Sequence, residues 1–349
     1  MAANKLKIAI YTICKNEEKF VDRWAKSNTD ADLRIVCDTG SSDNTVDKLK
    51  SHGVTVYNIT VSPWRFDTAR NTALNLLPKD IDIAIWQDLD EELLEGWRKK
   101  LEEKWEDDAT IANHRYRHND GPWQWHSKIH ARHNCHWVGP VHETLRWTVP
   151  EKEVWISEIY LDEHQDTTKS RKNYKHLLEK KIQEGDNNWR TYYFLANEYH
   201  DDQPKSIETR IKSYEACKDG DVILSYIARN IARGYATIND DKNAMKWFNT
   251  SVGHSEEKES YFSLAQYAYN KKRWEQCFIS AKRCIDINHK RDGFTYDPQA
   301  WGYLIYDYAA LASYNLGIKS LAKEYGTKAL ELNPDDERLK KNLEYYEES

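Results

Sequence analysis

A chain of 349 residues, 40% hydrophobic and 31% charged, holds enough apolar material for about two or three domains with cores of their own. Its net charge of -6 gives no basic excess, which excludes phosphate-backbone binding to nucleic acid as the main activity. Met1 to Lys7 lead into a short apolar run without a small-residue cleavage pattern, and no run reaches membrane-spanning length, so the expected location is a cytoplasm.

Leu6 to Cys14 reads as a first strand, followed by Lys15-Asn16-Glu17-Glu18 and an amphipathic segment through Trp24. Leu33 to Cys37 is a second strand ending in Asp38-Thr39-Gly40-Ser41-Ser42-Asp43. There Ser42 or Asp43 can cap a helix running to Lys50, and Asp38 has no capping duty. Val54 to Tyr57 gives a third strand, Asp67 to Leu77 a helix, and Ile81 to Gln87 a fourth strand. Strand and helix alternate at βαβ spacing, which predicts an α/β domain with a mostly parallel, Rossmann-like sheet.

Asp88 and Asp90 follow the fourth strand, where open α/β sheets collect ligands. Paired carboxylates suit a hard cation, Mg²⁺ or Mn²⁺, that neutralises a diphosphate. The alternative is that Asp90-Glu91-Glu92 opens a helix through Trp105 and complements its dipole. Arg70 sits early in its helix, a position that suits a cation facing an anion; pairing with Asp67 across one turn is the other reading.

The succession Lys15-Asn16-Glu17-Glu18, Val36 to Thr45, Ala69-Arg70-Asn71 and Gln87 to Glu91 resembles the family 2 glycosyltransferases of GT-A fold over roughly residues 5 to 165. The resemblance implies that Lys15, Glu17 and Asp38 hold the base and ribose of a nucleotide sugar, that Arg70 lies near the diphosphate, that Asp88 contacts ribose and that Asp90 ligates metal. Many members carry a second Asp where this chain has Thr39, a departure that bears on base preference. Trp137-Val138-Gly139-Pro140-Val141-His142-Glu143 resembles a segment of relatives that carry a helical repeat domain. It implies Glu143 as general base, with His142 orienting it or the acceptor; a structural salt bridge is the alternative for Glu143. By position His164 resembles a late metal-ligating histidine, or else a junction histidine satisfied by a carbonyl.

Seven of the thirteen histidines fall between His114 and His142. His126 and His130 lie on a strand pattern, so they do not converge as a helical zinc pair does, and most of these rings read as polar surface. Trp123 and Trp125 are candidate acceptor contacts, since indole faces stack on sugar rings.

Beyond Lys169 a helical period takes over. Ala232, Ala244 and Ser251, then Ala265, Cys277 and Cys284, then Ala310, Ala322 and Ala329 repeat separations of twelve and seven residues, with Pro334 closing the last unit. That is tetratricopeptide (TPR) spacing. An earlier unit opens at Tyr192, its second helix displaced by one residue around Pro204, which makes about four units in all. Cys277 and Cys284 are thus packing residues; none of Cys14, Cys37, Cys135, Cys217, Cys277 and Cys284 forms a C-x-x-C pair, and all read as reduced thiols.

The expected organisation is a GT-A catalytic domain over 1–167 and an all-α TPR solenoid over 168–349. Arg171 or Lys172 at the junction is expected to help hold diphosphate charge. The expected activity is metal-dependent transfer from a UDP-sugar, UDP-glucose or UDP-galactose, to an unidentified hydroxyl acceptor (glycan, protein or small molecule), inverting with Glu143 as base. The solenoid would bind a protein partner, self-associate or buttress the catalytic domain. The rivals are a TPR scaffold with a degenerate sugar-nucleotide module, and a retaining transferase with the same donor site.

Overall fold

Ile8–Cys14 (β1) is almost wholly apolar because both faces of this strand are covered. Ile8 and Ile10 join one core with Trp24, Leu49, Ile83, Ile85 and Trp97, while Ala9 and Tyr11 join a second with Ile35, Ala73, Ala84 and Trp137. The computed structural model describes residues 6–166, 174–289 and 295–348. Two compact units comprise Met1–Glu184 and Gly185–Ser349.

In the first unit β1 is followed by α1 (Val21–Ser27), β2 (Leu33–Asp38), α2 (Thr45–Ser51), β3 (Thr55–Asn58), α3 (Phe66–Asn75), β4 (Ile83–Trp86) and β5 (Glu91–Leu93). There follow α4 (Trp97–Lys104), β6 (Ile111–His118), β7 (Gln124–Ala131), β8 (Cys135–Val138), β9 (Thr144–Trp147), β10 (Glu153–Glu163) and α5 (Lys175–Gln183). The eight-stranded sheet has the order β3-β2-β1-β4-β7-β6-β10-β5. Strands β1 to β4 run parallel, β7 is antiparallel to β4 and β6, and β10 runs parallel to β6. A separate hairpin pairs β8 with β9.

One local expectation changes. Glu91 and Glu92 do not open a helix. They form β5, antiparallel to the end of β10, and the helix begins only at Trp97. Long-range pairing overrides the local charge signal there, because Leu161 to Glu163 offer a free strand edge. Of the crowded histidines, His118, His133, His136 and His142 are exposed, whereas His114 and His130 are fully buried, and burial pushes each of these two down to about 4, so both are neutral.

The second unit is helical throughout its described length. It comprises α6 (Trp189–Glu198), α7 (Gln203–Ala216), α8 (Asp221–Thr237), α9 (Asp241–His254), α10 (Lys258–Asn270), α11 (Trp274–Asp286), α12 (Leu304–Asn315), α13 (Lys319–Leu332) and α14 (Glu337–Glu348), each packed on the next in sequence. Ala232, Ala244, Ser251, Ala265, Cys277, Cys284, Ala322 and Ala329 are all fully buried, and Ala310 nearly so. Small side chains at these points let paired helices approach closely, as the TPR spacing requires. In the first pair the small residues are Ser206 and Ser213, whose hydroxyls donate to Ala196 O (2.7 Å) and Trp189 O (2.8 Å). Ser206 lies ten residues after Ala196, so the displacement is two residues rather than one. Among the described residues no helix is long and apolar enough to cross a membrane.

Candidate active site

The turn between β4 and β5 carries Asp88 and Asp90 and is held from both sides. Fully buried Gln87 donates from Nε2 to Glu91 O (2.9 Å), and the Trp24 indole donates to Gln87 O (3.3 Å). The Asp88 amide donates to Glu91 Oε2 (3.0 Å), and Glu91 Oε1 takes an ion pair from Lys128 Nζ. Both partners are 3% exposed. Burial pushes the Glu91 carboxyl up, and the Lys128 ammonium opposes it. Lys128 on β7 and its link to Glu91 are what sequence reasoning missed. The only signal was a lysine alternating with apolar Ile129 on a strand, and 37 residues separate it from its partner.

The Asp88 carboxylate accepts from Thr12 Oγ1 (3.3 Å) and from both terminal nitrogens of Arg70 (3.4 Å each). Burial raises it, but Arg70 and Lys128 outweigh burial and hold Asp88 below the usual carboxylate range. Asp90 behaves oppositely: burial, then the carboxylates of Asp88, Glu163 and Glu17, push it up to about 7. Among the described residues its carboxylate accepts no hydrogen bond and forms no ion pair. Its backbone oxygen accepts from the His164 amide (2.8 Å), whereas the His164 ring places Nε2 3.2 Å from Glu92 Oε2.

Arg70 is buried and does not use Asp67. Arg65 takes Asp67 instead, at 2.9 and 2.7 Å. Arg70 donates from Nε to Glu143 Oε1, and the two side chains are 8% and 10% exposed. Its guanidinium lies 4.5 Å from the Trp86 ring centre, and Lys128 Nζ lies 3.7 Å from the same indole, so Trp86 contacts two cations.

The segment Trp137 to Glu143 is fastened to α3 at successive residues. Asn71 accepts from Trp137 N and donates to Trp137 O, each at 2.8 Å. Gly139 N donates to Asp67 Oδ2 (2.9 Å), Phe66 N donates to Pro140 O (3.0 Å), and Arg70 takes Glu143. The two sequence stretches form one structural piece. His142 sits in the left-handed region (φ +46°), its ring edge-on to Tyr174.

On the other side, the loops after β1 and β2 are laced together. Asn16 N donates to Ser41 Oγ (2.8 Å), Ser42 N to Asn16 Oδ1 (2.7 Å) and Glu17 N to Thr45 Oγ1 (2.8 Å). Asp38 is not idle at its strand tip. It accepts from Gly40 N (2.9 Å), Ser41 N (3.0 Å) and the Ser41 hydroxyl, which together outweigh its burial and lower its pKa. Thr39 donates from N and Oγ1 to Cys14 O, at 2.9 Å each. Lys15 is exposed at the loop tip.

Thus Asp88, Asp90, Arg70 and Glu143 come together, with Glu17 close enough to act on Asp90. Trp125 stands apart: it alternates with His126 and Lys128 on β7, which turns it to the opposite strand face, where it is 40% exposed against Trp155 and Arg115. Trp123 packs edge-on to Tyr160 and under Arg117. Arg171 and Lys172 lie outside the described residues.

No curated protein matches the chain by sequence. Similar solved structures include the crystal structure of MamA (18% identity over 46% of this chain and 86% of that one, TM-score 0.37). TarS of S. aureus matches at 12% identity over 68% and 54% of the two chains (TM-score 0.41). Glucosyl-3-phosphoglycerate synthase from Mycobacterium tuberculosis, solved with Mn²⁺, UDP and glucosyl-3-phosphoglycerate, matches at 22% identity over 32% and 44% (TM-score 0.27). Residues 9–169 match the family model described as Glycosyl transferase family 2.

Proposed function

We propose that the first unit transfers a hexose from a UDP-sugar to a hydroxyl acceptor with inversion, using Glu143 as base. The observation that carries this reading is Arg70, one buried cation shared between Glu143 and Asp88. It ties the candidate base to the donor-side carboxylate and fixes their separation. Glu143 is in a salt bridge, as its alternative reading expected, but Arg70 engages Oε1. In the proposed step Oε2 takes the acceptor proton as that oxygen forms a bond to the anomeric carbon. The bond from that carbon to the phosphate oxygen breaks, and its electron pair leaves with the nucleoside diphosphate.

The residues present fit a divalent cation. Asp90 is a carboxyl crowded by Asp88, Glu163 and Glu17, a charge arrangement that a dication relieves. Mg²⁺ or Mn²⁺ is a hard cation that one or two carboxylates and substrate phosphate oxygens hold together. Asp90 would be the protein ligand, with His164 the further candidate; the bound ion supplies positive charge to the leaving diphosphate. Lys15, Glu17, Asp38 and Asp88 would hold the nucleoside.

Calorimetry of UDP with and without Mn²⁺, and hydrolysis of UDP-glucose and UDP-galactose, test the reading. Wild type should bind and hydrolyse with Mn²⁺, Asp90→Ala should lose metal-dependent binding, and Glu143→Gln should bind UDP but lose turnover. Absence of both binding and hydrolysis across a donor panel would sink it, and a Glu143→Gln protein with full turnover would remove the base.

A further inference from the structure

We propose that Lys181, on α5, is a positioning residue for Glu143; this deepens the reading above and rests on it. Lys181 Nζ donates to Val141 O (3.3 Å) and His142 O (3.1 Å), the two carbonyls immediately before Glu143. A charged donor shared by successive carbonyls fixes the peptide planes that aim the next side chain. Arg70 holds the Glu143 carboxylate, whereas Lys181 holds the backbone it grows from.

The surroundings are built for this contact. Gly139 has φ +112°, and a Cβ there would lie 3.1 Å from Lys181 Cε and 3.2 Å from Nζ, so glycine leaves the ammonium its place. His142 adopts φ +46°, a conformation that non-glycine residues hold only when their surroundings impose it. The ammonium on its carbonyl is such an imposition.

Helix α5 is itself anchored beside the turn. Glu184 pairs with Arg65 (2.5 Å), and Tyr174 stacks edge-on with Phe66 and His142 at 5.7 and 6.1 Å between ring centres. Arg65 also pairs with Asp67, which accepts the Gly139 amide. The contacts close a ring from Arg65 through Asp67 to the turn, and from Arg65 through Glu184 and α5 back to the same turn. None of Asp38, Asp88 and Asp90 takes part, so the brace acts on base geometry and leaves the donor contacts alone.

The test uses full-length Lys181→Met and Lys181→Arg with Glu143→Gln as reference. Hydrogen exchange over residues 139–147 reads the brace without turnover. UDP-glucose and UDP-galactose hydrolysis with Mn²⁺, and calorimetry of UDP with Mn²⁺, read the base and the donor site. In Lys181→Met, exchange in the turn should quicken at least about tenfold. Turnover should fall on the order of 10²-fold with KM and UDP affinity unchanged, and Lys181→Arg should restore both. Unchanged exchange overturns the brace, and unchanged hydrolysis in Lys181→Met beside an inactive Glu143→Gln overturns the positioning role. Turnover and UDP binding falling together, or failure of Lys181→Met to fold, reduces Lys181 to a stability element and also overturns it. A fully active Glu143→Gln removes the base reading, whatever the exchange shows.

Discussion

Arg70 and Glu143, 73 residues apart in sequence, form one buried ion pair, and the same guanidinium reaches Asp88. Removing the cation strips the nearly buried Glu143 carboxylate, 10% exposed, of its partner and takes a counter-charge from Asp88, 37% exposed. Arg70→Met should therefore cost ~3–5 kcal/mol of stability, read by urea denaturation. Arg70→Lys should recover little of it, since an ammonium lacks the fork that spans both acids. A lysine variant as stable as wild type would show that the shared geometry is unimportant.

Asp90 gives a pH prediction. Its folded pKa of about 7 lies above the ordinary value of 3.8, so its contribution to stability is complete below that value and is lost as pH rises through 7. Asp90→Asn should stabilise the metal-free protein at pH 8 by on the order of 1–3 kcal/mol, discounted for partial exposure, and by little at pH 4. Melting curves across that range decide it. Mn²⁺ should stabilise wild type increasingly toward pH 8 and leave Asp90→Asn unmoved.

The Glu91–Lys128 pair predicts an asymmetry between single and double substitution. Lys128→Met strands a buried carboxylate beside Asp88 and should cost ~3–5 kcal/mol, whereas adding Glu91→Leu should regain part of that loss. The double variant should still lose UDP binding, because the Asp88 amide no longer has its Oε2 acceptor. Equal stability of single and double variants would contradict the pairing.

In the second unit, a Cβ on Gly326 would meet Tyr346 Cδ2 at 2.8 Å and Cε2 at 2.9 Å. An aromatic ring in a packed site has little room to give. Gly326→Ala should cost ~1–3 kcal/mol through overpacking, partly offset by about 1 kcal/mol of helix propensity, and should expose α14 to proteolysis. Unchanged digestion would mean that α14 shifts without cost.

Strands β1 to β4 and the four helix pairs were legible because their apolar residues recur at the period of the element they form. β5 was not: Glu91-Glu92 carries the charge of a helix start, and only the edge of β10 and the Lys128 ammonium make a strand of it. Asp88, Asp90 and Arg70 stood out by their places at a strand end and a helix start, and Glu143 by motif resemblance, yet their connection was invisible, since Arg70 paired with Asp67 was also open to the chain. Lys181 carried no signal at all. A lysine on an amphipathic helix reads as solvated until the carbonyls it meets, some 40 residues earlier, are in place.

Those two hydrogen bonds also bear on where the chain can be divided. A fragment ending at residue 169 would contain everything the family model spans, and every motif by which the domain is recognised, yet would lack Tyr174, Lys181 and Glu184. During synthesis, likewise, these two hydrogen bonds on the turn before Glu143 cannot form until the chain through Lys181 has emerged. A piece that keeps the proposed brace is therefore longer than the recognisable domain and runs through Glu184, where the first compact unit ends.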